Sequence, residues 1–197
     1  MGAIGFVLFV ALHQGKPEPS SEALSLGHFH DTLTLADTSG NAERGSLYNA
    51  AVAAKHLLDW QTAERLLRRI LSEDEDGEAW LELGLVLTYQ GSYTEAMRSF
   101  DRAETFRADL SESLNLHRAF VEMRRGESGR ARTLFEEIEI PLETKLRIDM
   151  GSGEPLFLEW FLQSAALWRA AGKIEKAEWA TAQVRSTPGE SRLSEIY

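Results

Sequence analysis

The sequence contains no cysteine, which excludes disulfides, thiolate metal sites and cysteine nucleophiles together. No apolar run approaches the roughly 18 residues that a membrane-spanning helix needs. Positive charge is scarce: 21 Lys and Arg stand against 31 Asp and Glu, a net charge of −10. Unspecific binding to a phosphate backbone needs a clustered positive surface, so no nucleic-acid partner is expected. Catalytic and nucleotide-binding signatures are missing too, with no H-E-x-x-H, G-x-S-x-G, G-x-x-x-x-G-K-[ST] or G-x-G-x-x-G. The chain is therefore expected to be non-catalytic and to carry no metal or cofactor. What is present is ordinary for a globular chain: 197 residues, 43% hydrophobic and 26% charged, enough for one domain or one short repeat array.

The informative feature is a repeat. Small residues occur in pairs 12 apart: Ala51 and Ala63, Gly84 and Ala96, Ala119 and Ala131, Ala165 and Ala177. Successive pairs are separated by steps of 33, 35 and 46. Five residues before the second member stand Leu58, Gly91, Gly126 and Gly172, and four after it stand Leu67, Phe100, Phe135 and Thr181. Seven after it stand Ile70, Ala103, Ile138 and Val184. A small residue followed by apolar positions at i+4 and i+7 traces one face of an α-helix. The recurring glycine falls where two antiparallel helices must turn, since it accepts positive φ without steric cost. Each unit therefore reads as helix, turn, helix. The spacing predicts first helices over 46–57, 78–90, 112–125 and 155–171, and second helices over 61–71, 93–106, 129–138 and 174–185. Alanine or glycine at the crossing lets two axes approach to about 8–10 Å.

The stretch Trp80-Leu81-Glu82-Leu83-Gly84, followed by Gly91, Tyr93, Ala96, Phe100 and Ala103, closely resembles a tetratricopeptide repeat. Three further units match more loosely, so the resemblance covers about Ser46 to Pro188. It implies an all-α, right-handed helical-hairpin solenoid of four units. Residues 1–45 then form a non-repeat N-terminal segment, 46–188 the solenoid and 189–197 a C-terminal tail. The uncharged run Ile4–Leu12 reads either as a cap on the first unit or as the remnant of a membrane anchor or signal. The long last step places an inserted loop at 140–154, opened by Pro141 and closed by Gly151-Ser152-Gly153. The short tail leaves the final edge to be covered by the tail, a partner or further sequence.

Charged clusters have structural readings. His28-Phe29-His30-Asp31 supplies too few ligands at a recognisable spacing for a metal. The run Glu73-Asp74-Glu75-Asp76 complements the positive end of the helix that follows, and Arg65, Arg68 and Arg69 form an outer basic face.

In the tetratricopeptide family the first helices line a concave groove. The resemblance places Tyr48, Val52, Lys55, Leu81, Leu85, Thr88, Leu116, Phe120, Met123, Leu162 and Arg169 on that groove, with Ala166 among them. The set is mostly apolar, which suits an amphipathic helix or an extended hydrophobic segment rather than a clamped terminal carboxylate. The expected function is a scaffold holding a partner segment in this groove within a membrane-associated bacterial assembly. The alternatives are a secretion-type chaperone shielding one hydrophobic segment, or the docking region of a larger enzyme.

Overall fold

The small residues twelve apart meet where helices cross. In the computed structural model, which describes residues 19–149, 158–186, 189 and 191–196, Ala51, Ala63, Gly84, Ala96, Ala119, Ala131, Ala165 and Ala177 are all buried. A Cβ added at Gly84 would run into the ring of Phe100, so this crossing admits no larger residue without movement. The described residues hold ten α-helices and no strand. These are α1 (Pro19–Ser25), α2 (Phe29–Leu35), α3 (Arg44–His56), α4 (Trp60–Glu73) and α5 (Gly77–Tyr89). They continue with α6 (Tyr93–Phe106), α7 (Ser111–Arg124), α8 (Ser128–Asp149), α9 (Leu158–Ala170) and α10 (Ile174–Ser186). The chain is a tetratricopeptide-like solenoid of helical hairpins.

One turn joins every hairpin. Gly91 lies at φ +82 with its N–H donating to the Thr88 carbonyl, and the Ser92 N–H donates to Leu87. The same paired bonds recur at Gly27, Leu58, Gly126 and Gly172, all with positive φ. They satisfy carbonyls that the helix end leaves open. At the other end, Asp59 and Asp76 cap α4 and α5 through bonds to the N–H of Thr62 and Ala79. Neighbouring units are tied by ion pairs: Arg68 reaches Glu95 at 2.6 Å, Arg102 pairs with Glu75, and Arg107 with Glu78. The acidic run, Arg68 and Arg69 are thus absorbed by the fold.

Two expectations need correction. The segment before residue 46 is not wholly outside the repeat, because α1 and α2 form a shortened hairpin on α3. Ser20 and Thr32 are 12 apart and fully buried, so they hold the small-residue positions of a further unit. Asn49 on α3 donates to the hydroxyls of Ser20 and Ser21, at 3.1 and 3.0 Å. Nor is 140–149 a loop. Helix α8 runs through Pro141 to Asp149, because Leu142 and Leu146 continue its buried face. Residues 150–154 and the run Ile4–Leu12 lie outside the described residues.

Candidate functional site

The inner face of the array is closed by its own chain. Lys55 in the last turn of α3 places its Nζ 2.7 Å from Glu159 Oε2 on α9 and 2.8 Å from Glu82 Oε2 on α5. Glu159 also accepts from the Tyr89 hydroxyl at the end of α5. Gln163, one turn along α9, bonds His117 of α7 through Oε1 to Nδ1 at 2.7 Å. Four units therefore meet in one buried polar network.

Burial alone would lower the Lys55 ammonium, but Glu159 and Glu82 outweigh it and hold its pKa above the ordinary 10.5. Burial works against the Glu159 carboxylate, yet Lys55 keeps it below its ordinary value. At Glu82 burial wins and the carboxyl is pushed up. One cation thus serves two acids unequally. Burial also lowers the pKa values of His117 and His56, the latter helped by Lys55, which favours the neutral imidazole at both.

Beside this network lies an apolar seat. Leu158 and Leu162 of α9 pack with Leu58, Trp60 and Tyr89, and the Trp60 and Tyr89 rings stack at 5.0 Å. Leu193 fills the seat and is fully buried. It belongs to a 3-10 turn, Leu193–Ile196, in the segment that follows α10. Polar bonds fix that segment to the end of α3: Ser191 Oγ lies 2.9 Å from His56 Nδ1, and the Arg192 N–H donates to the His56 carbonyl at 2.8 Å. The His56 ring is stacked on Phe29 of α2 at 4.2 Å. A Cβ on Gly189 would stand 3.2 Å from the Gly27 carbonyl, so the segment also crosses the α1–α2 turn.

Leu58 is the exception among the turns. It holds φ +64 where the other four hairpins have glycine. A left-handed leucine costs about 1 kcal/mol, and its side chain is spent on the seat. Sequence reasoning placed Leu58 in the turn series but not in the site; a bulky residue in a glycine position was the available signal. Glu82 and Glu159 were also missed. Glu159 and Gln163, spaced by four on a nearly apolar helix, mark one polar face.

Most of the side chains expected on the concave groove are covered within the fold. Val52, Lys55, Leu81, Leu85, Thr88, Leu116, Phe120 and Leu162 are buried, and Tyr48, Met123 and Ala166 are half-buried. Val52 is covered by Leu24 and Phe29 of the N-terminal hairpin, and Leu162 by Leu193. Arg169 is exposed. Met123 instead borders a cleft of about 280 Å³ between α7, α8 and α9, whose lining includes Phe135, Leu167, Glu139 and Lys173. Glu139 there is engaged by Lys173, by Lys176 at 2.9 Å and by Trp168 Nε1 at 3.2 Å. His28 is the N-cap of α2 and His30 and Asp31 lie within it; no group of three metal-capable side chains occurs among the described residues. No helix among them is long and apolar enough to cross a membrane.

No protein-family model matches the sequence, and no curated protein matches it significantly. Solved structures do match in shape. A crystal structure of MamA superposes with a TM-score of 0.50 at 14% identity, covering 85% of this chain and 93% of that one. MamA from MSR-1 gives a TM-score of 0.53 at 12% identity over 84% and 90%. Identities this low speak to fold, and the chain has the helical-hairpin solenoid architecture that it shares with MamA.

Proposed function

We propose that the protein is a non-catalytic interaction scaffold of tetratricopeptide type. The observation that carries this reading is the seating of residues 191–196, a short peptide held through one buried leucine and hydrogen bonds to His56 and Leu57 at the end of α3. An array that holds its own segment this way has the chemistry to hold another protein's. The buried network behind the seat acts as its rigid wall, since Lys55 and Glu159 fix α3 and α9 across the interior. The remaining expectations, a membrane-associated bacterial assembly and the half-buried or exposed positions Tyr48, Met123 and Arg169 as partner contacts, belong to the same reading.

The test is affinity capture of the full chain from native membranes and cytosol, followed by cross-linking and mass spectrometry. A stoichiometric protein partner cross-linked to the α3–α4 turn, α5 or α9 is expected. Capture of no protein, or cross-links confined to the outer helices, would overturn the reading.

A further inference from the structure

The seat is built more elaborately than closure of a repeat array requires. Leu58 keeps a bulky side chain in a left-handed turn so that it can line the seat. His56 presents a ring nitrogen to a hydroxyl and a carbonyl to a backbone N–H, and its ring is clamped on Phe29. Arg192 and Glu195 pair at 2.9 Å across the 3-10 turn, and both stay outside on the surface. The occupant is thus read through a hydroxyl side chain, a backbone N–H donor and a leucine two residues after the hydroxyl.

We propose that this seat is a docking site for a short segment of a partner protein with that chemistry, a Ser or Thr followed two residues later by Leu on a single helical turn, and that Ser191–Ile196 occupies it in competition. The proposal rests on the interaction-scaffold reading above and names the segment recognised. The chain's own segment acts as a built-in ligand, present at high effective concentration because it is tethered. A partner binds only by exceeding that advantage, which restricts the site to segments that match it in several contacts at once.

The experiment uses the full chain and a fluorescent synthetic peptide of residues 187–197, followed by anisotropy. Leu193→Asp stops the chain's own segment from filling the seat, so the peptide is expected to bind this variant at least tenfold more tightly than the wild-type chain. Adding Leu58→Gly should weaken that binding at least tenfold, with unchanged helical circular dichroism, because glycine suits the turn and removes only the seat contact. Should Leu193→Asp fail to fold, Arg192→Pro, which removes the N–H donated to His56, takes its place with the same ratio expected. A folded variant that binds no peptide, or binding that Leu58→Gly leaves unchanged, overturns the proposal. Concentration-dependent dimers of the wild-type chain that Leu193→Asp abolishes also overturn it, in favour of exchange between two copies. A captured partner whose binding neither substitution alters removes the docking seat and leaves the scaffold reading standing.

Discussion

At the scale of single residues, the inner face is governed by buried titratable groups, and their signs can be worked out. His56 is 1% exposed, and burial, then Lys55, holds its pKa well below 6.5. A group with a depressed folded pKa contributes stability above its unfolded value that is lost as the pH falls through the folded one. Stability is therefore expected to fall as the pH drops below 6.5, by up to about 1.4 kcal/mol per pH unit from this group, with the melting temperature falling alongside it. His56→Gln should flatten that slope, as followed by thermal melts from pH 8 to 5. Lys55 carries the opposite lesson. Lys55→Met leaves Glu159 ionised and buried without its cation, a loss of about 3–5 kcal/mol. Replacing Glu82 and Glu159 by Gln in the same chain should recover most of it, as read by urea titration.

At the scale of helices, the crossing points decide tolerance. Gly84→Ala puts a methyl group into the Phe100 ring and should cost about 1–3 kcal/mol. Phe100→Leu should make the two changes less than additive in a double-mutant cycle. These crossings were legible in the sequence because the constraint is local: two small residues 12 apart recur in each hairpin from α3 to α10, with a glycine at the turn in all but the one that carries Leu58. The N-terminal hairpin was hidden because its small pair, Ser20 and Thr32, is polar and its helices have only seven residues each. Helix α8 was cut short for a different reason. Pro141 removes the N–H that the Glu137 carbonyl would receive, so it reads as a stop, yet the buried Leu142 and Leu146 carry the helix past it. Pro141→Ala restores that donor and is expected to raise the melting temperature.

At the scale of the whole molecule, closure separates this chain from a simple stack of hairpins. In an open array each unit meets only its neighbours, and stability is a sum of local terms. Here α3 and α9 join through Lys55 and Glu159, 104 residues apart, and Leu193 packs α9 against Leu58 of the α3–α4 turn and Trp60 of α4. Such closure depends on the small rotation accumulated from unit to unit, which no single repeat encodes. This is why the burial of these side chains could not be read from the repeat spacing. Leu85 and Phe120 show the consequence: at 3% and 1% exposure, the paired change to Asp buries two carboxylates and should abolish cooperative unfolding. The closing contact makes a sharper forecast. Leu193→Ala removes a fully buried side chain and should cost about 2–5 kcal/mol. In a chain of independent units, the loss of amide protection would stay in α9 and α10. With the ends joined, hydrogen exchange should rise together in α9 and in the α3–α4 turn. The α6–α7 crossing, remote from the seat, should keep its protection at conditions where the molecule remains folded.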